Sequence, residues 1–179
     1  MPKYVAFLRA INVGGHNVKM DHLRGLFETM RLSNVETFIA SGNVIFDSPA
    51  KTAPKLESKI EQYLQTALGY SVATFIRSTS EVAEIAAYKP FADSELNAET
   101  HILYIGFGAT TPTPEAKRKL ASLATRVDDL HTSGREVYWL RRLEIGQSMF
   151  SGTLLEKTLG MQLTLRNCTT VKKIAAKYS

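Results

Sequence analysis

Cysteine is almost missing from this chain, and the shortage removes two chemistries at once. Cys168 stands alone among 179 residues, so no intramolecular disulfide forms and no cysteine cluster holds a structural metal. The four histidines, His16, His22, His101 and His131, show no i, i+4 pair and no neighbouring His-Glu pattern, so they read as solvated side chains and no metal site is expected. No stretch nears the roughly 18 consecutive apolar residues of a membrane span. Met1-Pro2-Lys3-Tyr4 runs straight into strand-like sequence without a signal-peptide pattern. The expectation is a soluble cytoplasmic protein with no membrane partner. A Walker A lysine and a complete dinucleotide fingerprint are also missing, so the residues name no cofactor. The basic-glycine-aromatic pattern of RNA-recognition domains is absent too, and Phe7, Phe46, Tyr138 and Trp139 are therefore expected in the core.

What is present is enough apolar material for a substantial core: 44% of residues are hydrophobic, and this length suits one domain or two small ones. Net charge is +5, which favours phosphate-bearing partners without requiring them. Acidic residues are lacking from Arg166 to Ser179, where Arg166, Lys172, Lys173 and Lys177 give a local charge of +4. Lysines near a helix C-terminus also favour the helix dipole and solubility.

Positions 3 to 11, with Tyr4, Val5, Phe7, Leu8 and Ile11, match a strand covered on both sides. Met20, Leu23, Leu26, Phe27 and Met30 fall on one helical face. Val35–Ile39 and Val44–Phe46 form a hairpin around residues 40–43. Leu56, Ile60, Tyr63, Leu64 and Ala67 make a second amphipathic helix, with Pro54 in its first turn and Gly69 closing it. Val72–Ile76 is a fourth strand. Strand-helix-strand-strand-helix-strand is the split βαβ order, with strands one and three antiparallel at the centre.

The order then partly repeats. Ser80–Tyr88 reads as a helix and Pro90 to about Glu99 as a linker. His101–Phe107 is a strand, Pro114–Thr125 a helix, Val127–Thr132 and Glu136–Leu140 a strand pair, and Leu154–Leu159 a short helix. The expected architecture is an α+β chain of two ferredoxin-like (split βαβ) units in tandem with a C-terminal helix. Residues 1–78 form the first unit, 79–99 a helix and linker, and 100–179 the second unit with the basic C-terminal helix.

That topology brings the exit of strand one and the start of strand three to one edge of the first sheet. In Arg9-Ala10-Ile11-Asn12-Val13-Gly14-Gly15 the paired glycines meet the backbone demands of a turn. The same residues suit an anion, with successive N–H groups converging and Arg9 supplying charge. Ser41-Gly42-Asn43 is a tight hairpin corner in one reading. In the other it adds a hydroxyl and an amide beside Arg9 and Asn12. Arg166-Asn167-Cys168-Thr169-Thr170 precedes a helix containing Val171, Ile174, Ala175 and Tyr178. Asn167 or Thr169 caps it, or its N–H groups with Arg166 and Thr170 receive an anion. Cys168 reads as a small buried apolar residue.

At Leu8–Gly15, Ser41–Asp47 and Thr164–Ile174 the chain resembles a family of small, mainly bacterial proteins classed as domain of unknown function number 1697. The family pattern opens L-R-G-I-N-V-G-G, continues S-G-N-V-hydrophobic-F and ends T-R-N-hydrophobic-x-T-V-x-K. Gly14, Gly15, Ser41, Gly42, Asn43, Arg166, Asn167 and Thr170 match residue by residue. Ala10 stands where glycine is usual and Cys168 where a tryptophan often stands. The resemblance implies paired ferredoxin-like units and brings no assigned activity.

The residues point to binding of an anionic, phosphate- or carboxylate-bearing small molecule through Arg9, Asn12, Gly14, Gly15, Ser41, Gly42 and Asn43, with Arg166, Asn167 and Thr170 completing the site if the last helix folds back. A nucleic-acid module using the basic C-terminal helix is the alternative, and an enzyme of unidentified class a third.

Overall fold

The computed structural model describes residues 1–12, 15–39 and 41–179. The chain forms two compact units, Met1–Glu84 with Ile174–Ser179, and Ile85–Lys173. In the first unit the order is β1 (Lys3–Leu8), α1 (Met20–Thr29), β2 (Ser33–Thr37), β3 (Asn43–Asp47), α2 (Ala53–Leu68) and β4 (Thr74–Ser78). The four-stranded antiparallel sheet has the order β2-β3-β1-β4, with Val5 facing Ile45 on one side and Arg77 on the other. Helix α3 (Thr79–Ala87) follows.

Strand alternation decides which side chains meet the helices. Ala6, Leu8, Val44, Phe46 and Ile76 share a core with Leu23 and Phe27 of α1 and Leu56, Ile60 and Leu64 of α2. Val5, Phe7, Ile45 and Arg77 point from the opposite face and are buried as well. Strand β1 stops at Leu8, not at the expected Ile11. Ala10 takes a left-handed φ of 56°, which an extended strand does not accommodate.

Helix α2 is fastened to the edge strand by its acids. Glu57 Oε1 accepts from the Ile76 amide at 2.9 Å and Glu61 Oε1 from the Thr74 amide at 2.8 Å. These outward N–H groups of β4 have no strand neighbour, so the carboxylates close an edge that would otherwise be left open. Ser78 and Glu81 then form a reciprocal capping box. The Glu81 carboxylate accepts from Ser78 N at 2.7 Å, and Ser78 Oγ accepts from Glu81 N at 3.1 Å.

The second unit holds α4 (Asp93–Leu96), β5 (His101–Gly108), α5 (Pro114–Ser122), β6 (Asp128–Ser133), β7 (Glu136–Arg142), α6 (Gly152–Leu159), β8 (Leu163–Asn167) and the start of α7 (Cys168–Tyr178). Its sheet order is β6-β7-β5-β8, the same arrangement as in the first unit. Leu120, Leu130, Val137, Leu155 and Leu163 pack in its core. Trp139 lies 5.0 Å from Tyr104 between ring centres and donates from Nε1 to Asp128 Oδ1 at 2.8 Å.

Three expectations shift here. The linker contains the helical turn α4. Helix α5 ends at Ser122 rather than Thr125, whose hydroxyl oxygen instead accepts from Val127 N and Asp128 N, each at 3.1 Å. Residues 163–167, to which the sequence reading gives no element, form strand β8, because Tyr104 to Gly108 of β5 pair with them throughout. The end of α7 returns to the first unit, where Tyr178 Oη donates to Glu36 Oε2 at 2.8 Å.

The repeat keeps its register along the two central strands, although β2 and β3 carry an irregularity between Ser33 and Glu36 that β6 and β7 lack. Phe7 faces Asn43 as Phe107 faces Glu136, and Val5 faces Arg77 as Ile105 faces Arg166. Gly69 and Gly160 close α2 and α6, the helix before the last strand of each unit, in the left-handed conformation.

Candidate functional site

The two loops of the first sheet meet at one rim. Leu8 N donates to Gly42 O at 2.9 Å, and Arg9 N to Ala73 O at 2.9 Å, so Arg9 leaves the sheet next to the Ser41–Gly42 corner. Gly42 has a φ of 82°, and a Cβ there would stand 2.7 Å from Ile11 Cγ2 and 3.1 Å from Leu8 Cβ. Glycine is required on both counts.

Some polar side chains hold the loops, and others are partly or fully exposed. Asn12 Oδ1 accepts from Val18 N at 2.7 Å. Asn43, at 0% exposure, donates from Nδ2 to Phe38 O and to Ser41 Oγ, both at 2.9 Å. These two amides fix the rim's shape. His16 stacks on Tyr70 at 3.7 Å between ring centres, and Tyr70 Oη donates to Ile11 O at 3.4 Å. Burial pushes the Tyr70 phenol up, so it stays a neutral donor. Arg9 is half-buried, and Gly15, at φ 85°, and Ser41 are exposed. Ser41 Oγ accepts from Asn43 with a lone pair, which leaves its O–H to donate. Gly14 lies outside the described residues.

Arg166, Asn167 and Thr170 belong to the second unit. Arg166 sits in β8 at 6% exposure and donates from Nη1 to Thr164 Oγ1 at 2.7 Å and Leu165 O at 3.0 Å. Burial pushes its pKa down to about 10, and it remains a cation at neutral pH. Asn167 Oδ1 accepts from Thr169 N at 2.9 Å, the bond of a helix cap. Thr170 lies half-buried in the first turn of α7.

Beside that turn is a cleft of about 620 Å³ with Tyr88, Asn97, His101, Cys168, Thr169 and Lys172 in its walls. Cys168 is half-buried rather than a core residue, since it stands at the cleft wall. Burial raises its thiol pKa, against a smaller opposing effect of Lys172, which leaves a poor nucleophile. His101 departs further from the solvated reading. Its side chain is 9% exposed, with Nε2 2.7 Å from Glu144 Oε1 and Nδ1 2.8 Å from Glu95 O. Both partners only accept, so the ring fits best as a doubly protonated imidazolium. Among the described residues no group of three or more His, Cys, Asp or Glu is placed to hold a metal ion.

The model of a family described as "Protein of unknown function (DUF1697)" matches residues 1–138. The chain belongs to that family. The matched DUF1697 segment contains the whole rim of the first sheet, while Arg166, Asn167 and Thr170 lie beyond it. No curated protein matches the chain. A solved structure similar to it is that of the conserved bacterial protein SP0830 from Streptococcus pneumoniae, 21% identical over 99% of this chain and 98% of that one, with a TM-score of 0.75. At this identity the likeness is one of fold. Among the described residues no helix is long and apolar enough to cross a membrane.

Sequence reading missed Arg77. It is 1% exposed and donates from Nη1 to Ile76 O at 2.9 Å, as Arg166 does to Leu165 O at 3.0 Å. The signal was available as an arginine ending a short apolar run before each unit's last helix.

Proposed function

We propose that this DUF1697 protein binds a small phosphate- or carboxylate-bearing anion at the rim of its first sheet. The observation that carries the reading is the 2.9 Å bond from Leu8 N to Gly42 O, which joins the residue before Arg9 to the residue after Ser41. Arg9 supplies the charge, the backbone N–H of Gly15 and the Ser41 hydroxyl supply donors, and Asn12, Gly42 and Asn43 keep the loops in place. Backbone conformations that side chains rarely adopt cluster at this rim, with Ala10 at φ 56° and Ile39 at φ 52° in its two loops. Such outliers gather at ligand sites because a binding geometry is held against local preference.

Titrating inorganic phosphate into isotope-labelled protein tests this. Amide shifts are expected at Arg9, Gly15 and Ser41. Arg9→Ala keeps the backbone bond to Ala73 and should weaken binding by roughly 10- to 100-fold, since a hydrogen bond to a charged group contributes about 1.5–3 kcal/mol. Shifts confined to other regions, or unchanged affinity in Arg9→Ala, would overturn the proposal.

A further inference from the structure

We propose that the groove between the C-terminal end of α1 and the outer stripe of α2 binds the sugar–phosphate backbone of a single-stranded nucleic acid. This surface is separate from the rim of the first sheet and does not depend on it.

The argument begins with how α2 sorts its charges. Glu57 and Glu61 turn toward β4, where their carboxylates accept the Ile76 and Thr74 amides. The stripe formed by Lys55, Lys59, Gln62 and Thr66 follows the i, i+4, i+7, i+11 spacing of a different helical face and holds no acid. Two adjoining grooves of about 410 and 630 Å³ run along it. They share Met30, Arg31 and Lys59, and neither has a carboxylate in its lining. Arg31, Lys55 and Lys59 are exposed, and among the described residues none forms an ion pair. Lys59 Nζ donates to Met30 O at 3.3 Å, which holds that cation at the junction of the grooves.

From Lys55 to Thr66 the stripe is about 16 Å long at 1.5 Å per residue. That length matches roughly four or five phosphates of a stacked strand at about 3.4 Å each. Tyr63, half-buried in the groove lining, supplies a ring against which a base can stack. A cationic groove with an aromatic in its wall is the combination that follows a strand without reading its sequence. The basic end of α7 is less free for this role, because Lys177 Nζ reaches Glu36 Oε2 at 3.3 Å.

The test is fluorescence anisotropy of the full chain with labelled oligo-U and oligo-dT of about twelve nucleotides. Three phosphate contacts predict a slope of about −2 in log K against log salt, or roughly 15- to 20-fold weaker binding between about 50 and about 200 mM salt. Lys55→Gln with Lys59→Gln should cost at least about tenfold and reduce the slope to about −0.7. Lys55→Glu alone, at an exposed residue with no hydrogen bond to lose, should also weaken binding. Lys172→Gln with Lys173→Gln on α7 should leave it unchanged. Binding of the RNA strand, the DNA strand or both supports the groove and tells which sugar it accepts. The proposal falls if neither strand binds saturably, if the Lys55/Lys59 variant keeps the full slope, if only the α7 variant loses binding, or if inorganic polyphosphate binds while both oligonucleotides do not. Arg9→Ala separates this site from the rim, since it should leave oligonucleotide affinity intact.

Discussion

One methyl group sets this chain's first turn apart from what its backbone favours. Ala10 is exposed and holds φ 56°, a conformation costing an L-residue roughly 1–2 kcal/mol. The family pattern has glycine at this place, and the structure supplies the reason. Ala10→Gly should stabilise the protein by about 0.5–1 kcal/mol, strain relief being partly offset by the freer unfolded chain; the urea midpoint at unchanged m-value measures it. Gly42 presents the reverse case. Gly42→Ala meets Ile11 and Leu8 as well as the positive φ, and a loss of about 2–4 kcal/mol is expected from strain and overpacking together. The need for a glycine at this corner was legible in Ser41-Gly42-Asn43. The wedge against Leu8 and Ile11 was not, because it depends on a partner loop about thirty residues away. Likewise Asn12 reads as a ligand group and Asn43 as a ligand group or a hairpin residue, and the sequence gives no sign of the bonds that Asn12 accepts from Val18 N and Asn43 donates to Phe38 O.

At the scale of elements, α2 shows why periodicity finds a helix but not all of its work. The apolar positions Leu56, Ile60 and Leu64 made it readable, whereas Glu57 and Glu61 look like any solvent-facing acids until β4 is placed beside them. Glu57→Leu would leave the buried Ile76 N–H without this acceptor, a cost of about 1–3 kcal/mol. Faster hydrogen exchange at Ile76 than at Phe75 would localise the effect. Strand β8 escaped sequence reading because it is five residues long, ends in Arg166 and Asn167, and abuts α7. Its pairing with β5 outweighs that weak local signal.

His101 ties two more elements to β5, namely α4 through Glu95 and the turn after β7 through Glu144. Burial pulls its pKa down, but the hydrogen bonds to the Glu144 carboxylate and the Glu95 carbonyl outweigh this, and the net direction is upward. Glu95 also accepts from Arg142 Nε at 2.9 Å, and Arg142 reaches Asp129 at 3.3 Å. A folded state that binds the proton more tightly gains stability in full below the ordinary imidazole value near 6.5, and loses it as pH rises through the raised value. Thermal melts across that window should show the wild type losing more stability with rising pH than His101→Gln. Parallel pH profiles for the two proteins would contradict the imidazolium assignment.

For the whole molecule, duplication extends from topology to chemistry. Each unit has a helix carboxylate on its edge strand, Glu57 and Glu61 at β4 and Glu156 Oε2 accepting from Leu163 N at 3.3 Å in β8. Each also buries an arginine at the same register, Arg77 opposite Val5 and Arg166 opposite Ile105. The order of elements made the duplication legible, but Arg77 and the burial of both arginines were passed over, although each ends a short apolar run, because strand periodicity treats arginine as a solvent-facing residue. Burial that brings a guanidinium down to about 10 acts more severely on the ammonium of lysine, which starts lower and is more strongly hydrated. In Arg166→Lys the folded state should therefore hold its proton less tightly than the unfolded chain. Its stability then rises with pH through the depressed lysine value, while wild-type Arg166 stays charged and contributes no such slope near neutrality. Denaturant titrations monitored by Trp139, the single tryptophan and a core residue of the same unit, should show Arg166→Lys gaining on wild type between about pH 7 and about pH 9. A constant difference across that range would mean that the lysine keeps its charge and that burial at this register is not what lowers Arg166.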